Sequence, residues 1–272
     1  MKSVAVALGG GGARTLAQIP VLEALDEMGV RPVALAGTSF GAVIGAAYAS
    51  GMSGRQLRRT AIAMAHDRAL VYGRLLAARA SGLANWLTSP LGNPLLLDAE
   101  RFCDGLLPDA IPDDFASLQI PLTVVATDLY GRGEAVMSSG PLRSAIAATI
   151  AVPGLMRPVE RDGRVLVDGA AVNPLPFDRL RGKADLIVAV DASIGPSEPR
   201  GVPEPWEALF STLQVMGHGL VARKMEEGPP DLVIQPIDGV FRLFDFFRAS
   251  AIMRAADPVK AQVKERLGAL LI

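Results

Sequence analysis

Cysteine and histidine are scarce in this sequence: its 272 residues include one cysteine, Cys103, and two histidines, His66 and His218. A single cysteine cannot form a disulfide bond within the chain, nor can it supply a cysteine cluster for a metal ion. Two histidines far apart in the sequence also restrict histidine-based metal sites. These shortages argue against a metal centre or a disulfide framework.

An excess of charge of either sign is also absent. Half of the residues are hydrophobic and 20% are charged, which is the composition of a globular protein and excludes a disordered one. The 27 Lys and Arg residues nearly balance the 28 Asp and Glu residues, leaving a net charge of -1. Because a general basic surface is needed to neutralise phosphates, we expect no nucleic-acid partner.

Long hydrophobic runs that would target or cross a membrane are lacking as well. The first apolar run, residues 3–8, is short and has no cleavage pattern after it, which predicts a β-strand rather than a signal peptide. Residues 32–54 are uncharged, but glycines, serines and Thr38 interrupt them, which favours a buried strand, turn and helix over a membrane span. We therefore expect a cytoplasmic location, with peripheral contact at the inner membrane face left open.

Strand-like and helix-like segments alternate along the chain, which is the pattern of a parallel sheet covered by helices. The first strand is followed by helical spacing in Leu22, Leu25 and Met28, and Gly29 is a helix stop. The strand candidates are residues 3–8, 33–36, 121–127, 164–167, 186–190 and 232–235. The sequence therefore predicts an α/β fold, a three-layer α/β/α arrangement with a mainly parallel central sheet, in one domain over residues 1–272.

Two regions depart from this alternation. Residues 53–117 predict helices and an irregular apolar segment around Trp86, which we interpret as a helical cap, with a mobile lid over 83–98 as the alternative. Residues 200–272 predict a C-terminal helical region. Within it, residues 240–248 hold four of the nine phenylalanines and indicate a core-facing helix rather than a membrane-surface contact.

A strand-to-helix turn carries the motif Gly37-Thr38-Ser39-Phe40-Gly41, which fits G-x-S-x-G. Such a turn exposes the serine oxygen at the N-terminus of a helix, and small neighbours allow the tight backbone. The motif alone is common by chance. Its position between a predicted strand and a predicted helix favours a serine nucleophile over a structural turn.

Four consecutive glycines, Gly9 to Gly12, follow the first strand and precede Arg14. Consecutive glycines let backbone N–H groups converge on one point, which suits a phosphate or the oxyanion of acyl transfer. No lysine of a P-loop follows, and Arg14 replaces the third glycine of the dinucleotide fingerprint. The loop is therefore an oxyanion loop, or its glycines only permit close packing.

A serine nucleophile requires a base, and nothing in the sequence orients His66 or His218 for that role. An aspartate held against the serine can accept its proton instead. Asp168 ends a predicted strand and precedes a glycine turn, which makes it the best-placed candidate. Asp128 and Asp191 also close strands and remain rivals.

In this order, the glycine loop with its arginine, the G-T-S-x-G turn and the later Asp-Gly pair resemble the patatin-like phospholipases. The resemblance runs from Lys2 to about Ser193 and takes in residues 127–129, the Pro153-Gly154 pair and residues 167–176. It implies a patatin-like serine esterase with a Ser-Asp dyad and no histidine. By matching positions, the implied residues are Ser39 as nucleophile, Asp168 as general base, Gly10, Gly11 and Gly12 as oxyanion loop, Arg14 as its support, Gly37 and Gly41 at the elbow, and Gly169 at the dyad turn.

The resemblance implies hydrolysis of an ester bond in a phospholipid, lysophospholipid or related acyl lipid, without a metal or organic cofactor. Thr15 and Pro20 replace glycines that the family usually has, Ala170 replaces another, and Ile150 stands where serine is common. A proline inside a helix costs about 3 kcal/mol outside the first turn, so we expect the helix after the loop to start late or bend. A non-catalytic or regulatory member of the fold, and a histidine-dependent α/β-hydrolase, stay open as alternatives.

Overall fold

A mixed eight-stranded sheet forms the centre of the molecule in the computed structural model, which describes residues 2–79, 97–193, 202 and 204–272. The strands are β1 (Val4–Leu8), β2 (Ala34–Thr38), β3 (Leu122–Asp128), β4 (Gly133–Met137), β5 (Val159–Arg161), β6 (Arg164–Val167), β7 (Leu186–Val190) and β8 (Leu232–Ile234). Their order is β5-β6-β3-β2-β1-β7-β8, and β4 pairs with β3.

The strands β3, β2, β1, β7 and β8 are parallel to one another, whereas β4 and β6 pair antiparallel with β3, and β5 pairs antiparallel with β6. All five residues of β1 are buried, as expected for a strand covered on both faces. The prediction of a mainly parallel sheet is confirmed. The strands β4 and β5 are additions that the sequence analysis did not predict.

Helices cover both faces of the sheet. They are α1 (Gln18–Glu27), α2 (Phe40–Ala49), α3 (Gly54–His66), α4 (Arg68–Ala77), α5 (Ala99–Leu106), α6 (Leu142–Ile150), α7 (Pro205–Glu227), α8 (Ala249–Ala256) and α9 (Val259–Leu271). Alternate residues of β1 belong to two cores: Val6 packs with α1 and α2, whereas Ala5 and Ala7 pack with Phe177 and with α7. The three-layer arrangement follows from this alternation.

The glycine loop leads into a short 3-10 helix, Gly12–Ala17, before α1 begins at Gln18. Pro20 is the third residue of α1, where its missing N–H has no partner to lose. The expectation that Pro20 delays the helix is confirmed.

The uncharged residues 32–54 form the predicted buried strand, turn and helix, which are β2, the turn at Ser39, and α2. Among the residues described, none of the helices combines the length and the apolar character that a membrane span requires.

The two irregular regions of the sequence have different outcomes. The region 53–117 contains α3, α4 and α5, while Trp86 and most of the lid candidate 83–98 lie outside the described residues. The prediction of a helix over residues 240–248 is wrong, because this segment consists of turns that end in a 3-10 helix, Phe246–Arg248. The prediction that this segment faces the core is confirmed at Phe241, which is buried.

Candidate active site

Ser39 occupies the turn between β2 and α2 in a strained backbone conformation, with φ of 54° and ψ of −137°. Such a conformation costs about 1–3 kcal/mol and persists only where the surroundings impose it. Here the Ser39 N–H donates to Thr149 Oγ1 at 2.8 Å. A Cβ at Gly41 would strike the carbonyl oxygens of Leu8 and Gly9. A Cβ at Gly37 would lie only 2.5 Å from the Cα of Ala42 in α2. The flanking glycines therefore let the turn close tightly.

Asp168 faces Ser39 directly. The Ser39 hydroxyl donates to Asp168 Oδ2 at 2.6 Å, and the Ala170 N–H donates to Asp168 Oδ1 at 2.8 Å. Both Ser39 and Asp168 are buried. Burial raises the pKa of Asp168 to about 6, against the hydrogen bonds from Ser39 and Ala170, which lower it. The carboxyl is thus a base matched to neutral pH.

The backbone around Asp168 is held from three directions. Its N–H donates to the Ala151 carbonyl at 3.0 Å, and its carbonyl accepts the Thr127 hydroxyl at 2.7 Å. A Cβ at Gly169 would strike the Val125 carbonyl oxygen, so the chain passes β3 at a distance that only glycine permits. Asp168 therefore has little freedom to turn away from Ser39.

The glycine loop lies against Ser39. A Cβ on Gly10 would be 3.3 Å from the Cβ of Ser39. Gly12 has φ of 57°, and a Cβ there would strike the Leu243 carbonyl oxygen, so the position requires glycine. The Gly10 N–H donates to the Pro174 carbonyl at 2.9 Å, which corrects its predicted role as an oxyanion donor. Among the described residues, the N–H groups of Gly11 and Gly12 have no acceptor.

Arg14 is fully buried and supports the loop from behind. Its Nε donates to the Gly11 carbonyl at 3.3 Å, and its Nη1 and Nη2 donate to Gln214 Oε1 of α7 at 3.2 Å. Burial lowers the pKa of Arg14 to about 10, opposed by the negative charge of Asp191. Thr15, one of the departures from the family pattern, donates its hydroxyl to the Gly12 carbonyl at 2.7 Å. These contacts fix the loop to its own 3-10 helix and to α7.

The rival bases have other partners. Asp128 Oδ1 accepts the Gly131 N–H at 2.8 Å, and Asp191 Oδ1 accepts the Ser193 N–H at 2.9 Å, so both are turn aspartates. His66 ends α3 and is exposed. His218 lines the cavity described next, and its Nε2 lies 3.4 Å from the Ser193 carbonyl oxygen. In the described part of the chain, neither histidine contacts the Ser39 hydroxyl.

A cavity of about 500 Å³ opens onto Ser39 and Asp168. Its walls are mostly apolar and come from α2, α3, α4, α5, α7 and the segment 243–247. Representative lining residues are Val43, Ala61, Leu75, Phe102, Phe210 and Phe246. Across the residues with described positions, no group of three His, Cys, Asp or Glu side chains could hold a metal ion. The site combines a polar dyad with an apolar chamber.

Two side chains that hold Ser39 and Arg14 in place were not predicted from the sequence. Thr149 links the elbow to β3, because its hydroxyl accepts the Ser39 N–H and donates to the Val125 carbonyl. A polar residue at the end of the apolar helix α6, next to the unusual Ile150, is the signal that could have found it. Gln214, which holds Arg14, has no such signal, because it lies in an uncharged helical stretch.

Comparison with known proteins identifies relatives of this chain. An uncharacterized NTE family protein of Mycobacterium tuberculosis is 37% identical over 203 residues, which are 74% of this chain and 52% of that protein. Human patatin-like phospholipase domain-containing protein 6 is 32% identical over 193 residues, which are 70% of this chain and 13% of that protein. The matched regions thus span about half of the mycobacterial relative and a small part of the human one.

A solved structure shares the fold. VipD from Legionella pneumophila aligns over 97% of this chain and 66% of its own with a TM-score of 0.51, at 14% sequence identity. Residues 6–181 match the family described as "Patatin-like phospholipase", which is well over half of the 272 residues. The chain therefore belongs to the patatin-like phospholipase family.

Proposed function

We propose that this protein is a serine acyl hydrolase that cleaves ester bonds of phospholipids, lysophospholipids or related acyl lipids. The observation that carries the proposal is the 2.6 Å hydrogen bond from the Ser39 hydroxyl to Asp168 Oδ2, in a buried site that opens into an apolar cavity. A hydroxyl that donates to a buried carboxylate is poised to transfer its proton when it attacks.

In the proposed mechanism, Ser39 Oγ attacks the acyl carbonyl carbon while Asp168 Oδ2 takes the hydroxyl proton. The tetrahedral intermediate collapses to an acyl-serine ester, and the leaving alcohol takes the proton from Asp168. Water then attacks the acyl-enzyme, gives one proton to Asp168 and releases the fatty acid. Asp168 finally returns this proton to Ser39 Oγ.

The oxyanion of both intermediates needs N–H donors beside Ser39. The N–H groups of Gly11 and Gly12 suit this role, because they lie on the loop next to Ser39 and have no acceptor among the described residues. The bond from Gly10 to Pro174 fixes the loop to the segment that follows Asp168. Arg14 donates a hydrogen bond to the Gly11 carbonyl and so orients the neighbouring peptide groups of the loop.

The cavity favours an acyl chain over a charged group. Of the lining residues that the structure describes, Arg14 and Asp168 are the ones that carry a full charge, and both are occupied by the contacts given above. An alkyl chain gains about 0.8 kcal/mol for each methylene group that it buries in such a chamber. We therefore place the acyl chain inside the cavity and the head group toward its opening.

The test is hydrolysis of a short p-nitrophenyl ester and of a lysophospholipid by a matched set of proteins. The set comprises the wild type, Ser39→Ala, Asp168→Asn and the control His218→Ala. We expect turnover of both esters by the wild type and by His218→Ala, and at least a thousandfold loss in the two dyad variants.

The other outcomes favour the alternatives. Loss of turnover in His218→Ala would indicate a histidine-dependent hydrolase. A folded wild type that turns over neither ester would contradict the proposal and favour a non-catalytic member of the fold.

A further inference from the structure

Arg14 is a buried cation whose side-chain partner is a neutral amide. The residue is 1% exposed, and its Nη1 and Nη2 both donate to Gln214 Oε1 at 3.2 Å. In the described part of the chain Arg14 forms no ion pair, and the negative charge of Asp191 favours the cation from farther away. Because a buried guanidinium is costly without hydrogen-bond acceptors, Gln214 determines where the Arg14 side chain points.

The same side chain holds one peptide group of the glycine loop. Arg14 Nε donates to the Gly11 carbonyl at 3.3 Å, and the backbone N–H of Arg14 donates to the same oxygen at 3.2 Å. The peptide bond between Gly11 and Gly12 is trans, so the C=O and N–H of this planar group point in opposite directions. The bonds to the Gly11 carbonyl therefore fix the direction of the Gly12 N–H.

The next peptide group of the loop is fixed independently, at both of its ends. The Thr15 hydroxyl donates to the Gly12 carbonyl at 2.7 Å, and the Ala13 N–H donates to the Leu243 carbonyl at 2.8 Å. By contrast, the Gly12 N–H has no acceptor among the residues with described positions. The peptide group between Gly11 and Gly12 thus depends on the hydrogen bonds to its carbonyl alone.

Gln214 lies on α7, outside the residues 6–181 that match the family, so the family pattern gives it no role. It is half-buried and lines the cavity that opens onto Ser39. Its amide accepts from Arg14 without cancelling the charge, because a carboxamide is neutral. The position therefore orients the guanidinium and leaves its positive charge beside the loop.

We propose that Gln214 is a positioning residue for the oxyanion donor Gly12. By orienting Arg14, it holds the Gly11 carbonyl away from the substrate and the Gly12 N–H toward the negative charge that develops on the substrate oxygen. The inference rests on the proposed function, which assigns this N–H to the oxyanion. It adds α7 to the elements on which ester hydrolysis depends.

The test compares one substrate and two inhibitors, and the substrate is a short p-nitrophenyl ester. The first inhibitor is an alkyl trifluoromethyl ketone, whose carbonyl carbon forms a bond with Ser39 Oγ. The π electrons of the carbonyl then move to its oxygen as an oxyanion, and the hydroxyl proton passes to Asp168. The second inhibitor is the alcohol obtained by reducing this ketone, which has the same chain and cannot form the adduct.

The variants of the full chain change one contact at a time. Gln214→Met keeps the length of the side chain and removes the acceptor, whereas Gln214→Glu keeps an acceptor. The matched control on the same helix is Thr212→Val, because the Thr212 hydroxyl donates to the Ala208 carbonyl of α7 at 2.8 Å and lies outside the cavity lining.

We expect Gln214→Met to lower kcat by about 10- to 100-fold with KM within about threefold of wild type. The inhibition constant of the ketone rises by a similar factor, whereas that of the alcohol stays within about twofold, because the ketone adduct alone carries an oxyanion. Gln214→Glu restores a bond to Arg14 but cancels its charge, so its kcat lies about fivefold or more above that of Gln214→Met and below wild type. Thr212→Val matches the wild type in every measurement.

Wild-type kcat and ketone affinity in Gln214→Met would overturn the inference and leave the proposed function intact. An equal loss of affinity for the ketone and the alcohol would overturn it too, because it would indicate a cavity that is generally disturbed, and so would a Gln214→Glu variant no better than Gln214→Met. If urea denaturation shows that Gln214→Met does not fold, Gln214→Asn takes its place, since its amide is one methylene group too short to reach Arg14. A folded wild type that neither turns over the ester nor binds the ketone more tightly than the alcohol would contradict the proposed function itself.

Discussion

Asp168 experiences two opposing effects at the residue scale. Burial disfavours its charged form and raises its pKa to about 6, whereas the hydrogen bonds from Ser39 and Ala170 stabilise the carboxylate. The result is a carboxyl that is mostly ionised at neutral pH yet binds a proton far more readily than an exposed aspartate. In the mechanism that we propose, Asp168 therefore acts as the base for Ser39 without a third residue.

The pH dependence of ester turnover tests this balance. The base must be ionised to accept the Ser39 proton, so kcat/KM rises with pH through about 6 and levels off above it. At one unit below the pKa of Asp168, we expect kcat/KM to be about tenfold below its plateau. The measurement is a pH–rate profile with a short ester whose leaving group does not titrate in this range.

An inflection that disappears in His218→Ala would assign the titrating group to the histidine and contradict the account. A profile that is flat down to the ordinary pKa of an aspartate would show that burial does not tune Asp168.

At the scale of elements, the elbow depends on α6 as well as on β2 and α2. The Thr149 hydroxyl spans from the Ser39 N–H to the carbonyl of Val125 in β3. A single buried side chain therefore fixes the strained turn to the centre of the sheet. We interpret Thr149 as a positioning residue, because it contacts the Ser39 backbone and not the reacting oxygen.

Replacement of Thr149→Val keeps the shape of this side chain and removes its hydroxyl. The buried Ser39 N–H loses its acceptor, so we expect a loss of about 2 kcal/mol in the free energy of unfolding. Displacement of Ser39 lowers kcat by about 10- to 100-fold with little change in KM. Urea denaturation and turnover of a short ester measure the two effects.

The matched variant Thr149→Ser retains the hydroxyl and restores kcat to within a few-fold of wild type. If Thr149→Val loses stability but keeps the wild-type kcat, the hydroxyl does not position the nucleophile.

The elements that the sequence analysis predicted well are those whose burial leaves a simple pattern. The strands β1 and β7 are wholly apolar, β3 is buried at six of its seven positions, and α2 is rich in small apolar residues. The strands β4 and β5 are antiparallel additions with mixed burial, so neither a continuous apolar run nor a long alternation marks them. The turns of residues 240–248 were mistaken for a helix because charges three residues apart imitate a helical face.

Less of the candidate site than of the fold could be predicted from the sequence. Ser39 has a local motif, but Asp168 lies 129 residues away, and no local pattern indicates that these two positions meet. The family resemblance suggested the pairing, and the contact itself depends on β2, β3 and β6 lying side by side. The engagement of Gly10 by Pro174 also requires tertiary structure, because a glycine run does not reveal which N–H groups remain unpaired.

At the scale of the whole molecule, the dyad stands at the boundary between the sheet and the cavity that the helices enclose. The sheet supplies Ser39 and Asp168 at the carboxyl ends of β2 and β6. The helices α3 and α4 supply apolar residues to the cavity wall. We infer that the sheet determines the chemistry and that these helices determine the acyl-chain preference.

A bulky residue introduced into the cavity wall tests the acyl-chain preference separately from the chemistry at Ser39. Ala61 on α3 lines the cavity, so Ala61→Phe fills space that a long acyl chain would occupy. We expect the ratio of kcat/KM for long-chain to short-chain p-nitrophenyl esters to fall at least tenfold, because several methylene groups at about 0.8 kcal/mol each lose their contacts.

The control Ala63→Phe lies on the same helix but is exposed, and it leaves this ratio unchanged. An equal loss for short and long esters in Ala61→Phe would place the acyl chain elsewhere.

Whether Asp168 activates Ser39 is tested most directly by covalent labelling with an alkyl fluorophosphonate, followed by mass spectrometry of the digested protein. The reaction joins phosphorus to the attacking oxygen and releases fluoride, so the adduct identifies the nucleophile. We predict one adduct per chain, on Ser39, formed at the wild-type rate by His218→Ala and at least a hundredfold more slowly by Asp168→Asn. A folded protein that remains unlabelled, an adduct on another residue, or labelling of Asp168→Asn at the wild-type rate would show that Asp168 does not activate Ser39.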